Sequence, residues 1–417
     1  MVSDVLIGIG VLYPIGAVIC CIIGLINKKT EYSAVKQRRF AVLICARNEE
    51  QVIGNLLDSL ALQDYPKECV TCFVVAHNCT DQTAHLARKH GAVVFEWNHP
   101  MKRTKGDVLH FGVGQITEQY PGQYEALCIF DADNLAGRSF LKEINAALDS
   151  GADVVTGFRC AKNYHQTPIS ELFGAYWYQI MYTQNIPNSA MGLPVVVGGT
   201  GFAVTMEVLK KGWNTETLLE DIEFSLQMIL HEKRIIIAPR AVFYDEQPSD
   251  LRSGLRQRYR WACGEYQILR RYLPQILRML PVRRTQILGI LPSVLINPIM
   301  LLTLSGCILQ VVIKIVNGGM IGGFIYLLQL LILVWISTLP LTVMLFLQRK
   351  LSVRKNLATL FLFPCFLMLS MPLSAIALFD RCPEWKPIPH HENTALPDIE
   401  NLTEPRIPKS AGRHKYR

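Results

Sequence analysis

Apolar runs at both ends of the chain, with a mixed region between them, most restrict what it can fold into. Val5 to Ile26 is an uncharged stretch of 22 residues, long enough to span a bilayer. It lacks a convincing small-residue cleavage site and reads as an anchor rather than a signal peptide. Ile287 to Val316, Gly319 to Gln348 and Leu357 to Phe379 are further apolar blocks, interrupted by Pro292, Pro298, Pro340, Pro364 and Pro372. Parts of them are expected to be interfacial or re-entrant. Four regions are expected: an anchor over 1–27, a globular domain over 28–284 ending in interfacial helices, membrane helices over 285–380, and a polar tail over 381–417. At 50% hydrophobic and 18% charged, the chain is too apolar for an ordinary soluble enzyme and too charged for a transporter.

Basic residues set the expected orientation. Lys28, Lys29, Lys36, Arg38 and Arg39 follow the anchor, Arg270, Arg271, Arg278, Arg283 and Arg284 precede the second block, and Arg349, Lys350, Arg354 and Lys355 precede the last. The globular domain is therefore expected on the cytoplasmic face of the cell membrane, in a multi-pass protein. The net charge of +8 reflects these membrane-edge residues, and no nucleic-acid signature accompanies it. Twelve cysteines are scattered; Cys69-x-x-Cys72 has no second pair or His cluster to complete a zinc site.

Between the apolar ends, Phe40–Ala46, Val70–Ala76, Ala92–Phe95 and Ala126–Phe130 read as buried strands alternating with helices. That order implies an α/β domain with a parallel sheet, whose ligands sit beyond the carboxyl ends of the strands. Arg47-Asn48-Glu49, His77 to Asp81, and Asp131-Ala132-Asp133 all fall at such ends. The two aspartates repel one another in a partly dry crevice, and Mg²⁺ or Mn²⁺ would relieve that; a capped turn is the plain alternative. Glu220-Asp221 opens an apolar-periodic helix, either as a base for an acceptor hydroxyl or as a helix cap. Gly198-Gly199-Thr200-Gly201 allows close backbone approach, or is a simple turn. Gln257, Arg260 and Trp261 in Q-x-x-R-W share one helical face. They offer an amide, a cation and an aromatic platform suited to a diphosphate beside a sugar; a snorkelling Arg–Trp pair is the alternative.

D-x-D, E-D and Q-x-x-R-W in this order resemble the family 2 glycosyltransferases, in the membrane-embedded branch that holds the cellulose, hyaluronan, chitin and poly-N-acetylglucosamine synthases. The likeness runs from about Phe40 to Trp261. It implies a GT-A (Rossmann-like) cytoplasmic domain between an N-terminal transmembrane helix and a C-terminal helical membrane bundle. It implies that Arg47, Asn48, Glu49, His77, Lys105 and Asp131 bind the nucleotide, that Asp133 holds Mg²⁺ or Mn²⁺, and that Asp221 is the catalytic base. Gly199, Thr200, Gly201, Glu220, Gln257, Arg260 and Trp261 then serve the diphosphate and acceptor. Trp385 to His390 resembles a tail motif of some bacterial members. Three departures stand out: His77 where relatives usually carry Asp, Leu219 where many carry Thr, and a single span before the domain.

The implied reaction is a single inverting displacement from a nucleotide-diphosphate sugar, with UDP as the default. The leading expectation is a polymerase of a β-linked cell-surface polysaccharide, with the bilayer, a glycan or lipid-linked acceptor and accessory assembly subunits as partners. A non-processive transferase adding one sugar to a lipid or glycan is the second expectation, and a non-catalytic scaffold subunit the third.

Overall fold

The computed structural model describes residues 2–26, 31–99, 104–349, 356–380 and 394–402. Trp385–His390, Lys28, Lys29, Lys350, Arg354 and Lys355 lie outside the described residues.

The chain opens with the apolar helix α1 (Val2–Ile26), then enters the domain at β1 (Phe40–Ala46), α2 (Ile53–Ala61), β2 (Val70–His77), α3 (Thr83–Lys89) and β3 (Val93–Trp97). It continues through α4 (Lys105–Gln119), β4 (Ala126–Asp131), β5 (Leu135–Ala136), α5 (Phe140–Asp149) and β6 (Val154–Ala161). An excursion over α6 (Pro168–Ile180) and α7 (Ile186–Ala190), joined by a π-helical turn at Met181–Asn185, precedes β7 (Phe202–Thr205). The domain closes with α8 (Glu220–Leu230), β8 (Ile235–Asp245) and the long helix α9 (Leu251–Met279).

These strands form one eight-stranded sheet in the order β3-β2-β1-β4-β7-β6-β8-β5. Strands β1 to β4 pair in parallel, as their largely apolar runs suggest. The other half departs from the expected parallel sheet and is mixed, with β6 and β8 still pairing in parallel. β7 is antiparallel to both β4 and β6, and β5 is antiparallel to β8. The physical reason is the excursion: the chain returns through Gly199–Gly201 at the carboxyl end of β4, so β7 must run back the other way. Two apolar layers flank the sheet. Leu43, Phe73, Val113 and Ile129 belong to one, and Phe40, Ile44, Phe130 and Ile144 to the other.

Beyond the domain come α10 (Arg284–Arg349), α11 (Leu357–Met368), α12 (Ser370–Phe379) and the short α13 (Leu396–Leu402). Gly319 is non-helical, with φ 69°. The chain reverses there, since a side chain on Gly323 would meet Ile315 and the Lys314 ammonium lies over the Tyr326 ring. Among the described residues, three helical segments are long and apolar enough to cross a membrane: Val2–Gly24, Gly289–Leu347, which turns back at Gly319, and Leu357–Phe379. The last of these is docked on α9. Arg258 donates to the Phe366 carbonyl at 2.7 Å and to Ser370 Oγ at 2.8 Å, and Arg270 to the Leu378 carbonyl at 2.6 Å.

Candidate active site

In the parallel register Cys45 of β1 lies opposite Asp131 of β4, and Ala46 lies opposite Ala76 of β2. The three polar clusters therefore emerge side by side at one edge of the sheet. Asn48 and Asn78 both take left-handed backbone, φ 57° and 48°, which Asn tolerates better than most residues. Asn48 Oδ1 accepts the Thr80 N–H at 2.8 Å, and the Glu49 N–H donates to Thr83 Oγ1 at 2.8 Å. Arg47, Asn48 and Glu49 thus form one rim with the start of α3. His77 is buried beside Trp97, with ring centroids 5.2 Å apart, and Trp97 stacks on Phe111 at 4.8 Å. Asn78 fastens the end of β2 to the end of β3 through the backbone of His99, at 2.7 and 3.0 Å.

Lys105 is the hub. Thr104 caps α4 reciprocally with Asp107, placing Lys105 in its first turn. The lysine Nζ donates to Asp131 Oδ1 and, at 2.8 Å, to the Gly199 carbonyl, and stands 3.8 Å from Glu220 Oε1. Burial works against its charge, but Asp131 and Glu220 outweigh it and hold the ammonium above the usual lysine range. Gly199 takes φ 82°, and a side chain there would stand 3.4 Å from Asp221 Oδ2. Glycine thus supplies a left-handed turn in contact with the carboxylate. Thr200 and Gly201 work within the loop. The Asp131 N–H donates to Thr200 Oγ1 at 2.8 Å, and Thr200 donates to Asn134 Oδ1. Gly201 joins β4 to β6 through its backbone and packs against the Phe243 ring.

Glu220 and Asp221 begin α8. Burial pushes Glu220 up to about 7, with Lys105 opposing and Asp221 reinforcing the rise. Burial likewise raises Asp221, opposed by the Ile222 N–H, Lys105 and Arg159. The preceding loop is tied to α8 by Glu223, whose buried carboxylate accepts the N–H groups of Glu216 and Thr217 and the Tyr272 hydroxyl, at 2.7–2.8 Å.

Helix α9 meets that loop directly. Gln257, Arg260 and Trp261 share its face with Gly264, and a side chain on Gly264 would lie 2.7 Å from Leu219 Cγ and 3.1 Å from the Leu219 nitrogen. Leu218 N–H donates to Gln267 Oε1 at 3.0 Å. Trp261 stacks on Tyr176 at 5.9 Å and meets Trp177 edgewise at 5.7 Å. Gln257 Oε1 and Arg260 Nε are buried without a hydrogen-bond partner among the described residues, a costly arrangement unless a ligand completes it.

Sequence reasoning missed Arg159, Lys162, Trp177 and Asp245. Lys162 is buried, donates to the Asp133 carbonyl at 3.0 Å and pairs with Glu246 at 3.3 Å, which fixes the backbone of the D-x-D turn. For Arg159 the available signal was a charge inside the otherwise apolar β6 run, with Lys162 just beyond its end. Asp133 is buried, and Asn134 Nδ2 donates to its Oδ1 at a long 3.3 Å. No group of three or more His, Cys, Asp or Glu that could hold a metal occurs among the described residues. A site with one or two carboxylates fits a hard divalent cation that draws its remaining oxygens from phosphate and water.

The family described as Glycosyltransferase like family 2 matches residues 37–264. The poly-beta-1,6-N-acetyl-D-glucosamine synthase of Staphylococcus epidermidis is 24% identical over 252 residues, covering 58% of this chain and 58% of that one. The beta-monoglucosyldiacylglycerol synthase of Nostoc sp. is 25% identical over 243 residues, covering 56% of this chain and 49% of that one. The chain thus spans about half the length of these relatives. A mannosyltransferase from Pyrobaculum calidifontis, solved with GDP-Man and Mn²⁺, shares the fold at TM-score 0.59 and 16% identity, covering 91% of this chain and 99% of that one. The family match takes in every strand of the sheet and the Q-x-x-R-W face, and the chain belongs to the glycosyltransferase like family 2.

Proposed function

We propose that the chain is an inverting, metal-dependent glycosyltransferase that moves a sugar from a nucleotide-diphosphate donor, by default UDP-linked, to a growing β-linked cell-surface polysaccharide. The observation that carries the reading is the meeting of Lys105, Asp131, Gly199, Glu220 and Asp221 in one crevice, closed by the Gln257–Arg260–Trp261 face. Asp221 takes the proton from an acceptor hydroxyl as that oxygen attacks the anomeric carbon. The bond to the diphosphate oxygen breaks, and Lys105 and Arg260 face the charge gathering there. Arg47, Asn48, Glu49 and His77 line the nucleotide end. Trp261 and Gln257 orient the acceptor, which lowers the entropic part of the barrier. Asp133, with Asp131 beside it, would hold Mg²⁺ or Mn²⁺, which when bound neutralises diphosphate charge. Similarity to poly-beta-1,6-N-acetyl-D-glucosamine synthases supports the polymer as product.

A second reading, one sugar added to a lipid acceptor, is favoured by similarity to beta-monoglucosyldiacylglycerol synthases. The domain is assigned to the cytoplasmic face of the cell membrane, from the basic residues beside the apolar helices. The domain division at 28–284 and 285–380 belongs to the same proposal and is supported by α10 beginning at Arg284.

The test is product length with a panel of nucleotide sugars, in nanodiscs, with Mg²⁺ or Mn²⁺. Long products support the polymer, and single additions to lipid overturn it in favour of the second reading. No turnover with any donor would leave a scaffold.

A further inference from the structure

Arg159 is a buried cation in the crevice with no part in the chemistry above. Its side chain is 7% exposed, and its Nε stands 3.5 Å from Asp245 Oδ2. Its guanidinium carbon lies 3.8 Å from the centre of the Trp177 ring, a cation–π contact strengthened by desolvation. Asp245 is held in turn, accepting from Asn134 Nδ2 and Gln247 Nε2, each at 2.8 Å. Asn134 also carries the contacts to Thr200 and Asp133. On the other side Trp177 meets Trp261. A side chain on Gly198 would stand 3.4 Å from Trp177 and 3.8 Å from Arg159 Nη1, and one on Gly199 would stand 3.4 Å from Asp221. Consecutive glycines therefore face Arg159 and Asp221.

We propose that Arg159 is a positioning residue for transfer: it holds the Trp177 ring against the Gly198–Gly199 turn, so that an acceptor hydroxyl resting on the Trp177–Trp261 wall meets Asp221. The inference rests on Asp221 as base. A planar guanidinium stacks on an indole while pairing with a carboxylate at its edge, and an ammonium cannot do both. Arg159 on β6 and Lys105 on α4 are the cations that favour the ionised form of Asp221, while Glu220 beside it carries like charge and itself faces Arg260 on α9. Arg159 thus serves the base in charge as well as in geometry.

The test compares wild type with Arg159→Lys, Arg159→Gln, Trp177→Phe and Asp221→Asn, using thermal unfolding and nucleotide binding to confirm folding. Nucleotide release is followed against donor concentration, acceptor concentration and pH. Arg159→Lys keeps the charge and loses the flat stack, so acceptor KM rises about tenfold while donor KM stays within about twofold and the pH profile is unmoved. Arg159→Gln raises acceptor KM similarly and also moves the acid limb to higher pH. Trp177→Phe keeps a ring face and costs only about threefold in acceptor KM. An Arg159→Lys enzyme equal to wild type, or Arg159 variants that raise donor KM alone, would overturn the proposal. A fully active Asp221→Asn enzyme would instead overturn the reading beneath it. Should Arg159→Gln fail to fold, Arg159→Lys and Trp177→Phe still decide the matter.

Discussion

The Lys105 ammonium donates to the Gly199 carbonyl oxygen at 2.8 Å, joining the first turn of α4 to the turn that faces Asp221. The same nitrogen bonds Asp131 and stands near Glu220. One lysine thereby couples the donor side of the crevice to the base. Replacing it with Met leaves both carboxylates without their cation and frees the glycine turn. Turnover should fall about 100-fold or more, with weaker nucleotide affinity; turnover within a few-fold of wild type would contradict the coupling.

Gly264 sets how closely α9 approaches the loop before Asp221. Gly264→Ala brings a methyl group to within 2.7 Å of Leu219 Cγ and 3.1 Å of a backbone nitrogen. The helix must move, at a cost of about 1–3 kcal/mol. Because the strain falls between acceptor helix and base, kcat should drop at least about tenfold while nucleotide binding stays as in wild type. Steady-state kinetics beside a binding isotherm separates the two.

Glu220 is held at about 7 by burial, and Asp221 is raised beside it. A base with a raised pKa is protonated, and so disabled, at a higher pH than an ordinary carboxylate. With unshifted groups kcat/KM would persist to about pH 4. Here it should decline at a pH above the ordinary carboxylate range, because the base is raised, in steps that belong to the coupled pair. A profile flat down to pH 5 at saturating metal would count against the assignment.

Lys162 pairs with Glu246 in the interior and holds the Asp133 carbonyl. Lys162→Met removes one partner of a buried ion pair, which costs about 3–5 kcal/mol. The double variant Lys162→Met, Glu246→Leu should recover much of that stability in thermal unfolding. It should not recover activity, because the D-x-D turn has lost its anchor.

Half of the sheet and most of the crevice could be read from the chain. Phe40–Ala46 and Ala126–Asp131 are apolar runs that meet charge at their carboxyl ends, the pattern of a buried strand leading into a polar cluster. Gln257, Arg260 and Trp261 needed only the helical repeat to be placed on one face. The antiparallel β7 was hidden because it is four residues long and its direction follows from the path of α6 and α7. Arg159 and Asp245 are 86 positions apart in the numbering, as are few local signals, and their pairing arises from strands β6 and β8 lying side by side. Leu219 lies against Gly264, a packing role that local spacing does not reveal.

Asp221→Asn tests the central claim most directly. The substitution keeps the size of the side chain and its contact with the Ile222 N–H, but removes its capacity to take a proton. Nucleotide release and nucleotide binding are measured on the same purified protein, beside wild type, with the active donor and Mg²⁺ or Mn²⁺. The account predicts release reduced to near background with unchanged nucleotide affinity. Undiminished release, or loss of nucleotide binding with the same substitution, would contradict it.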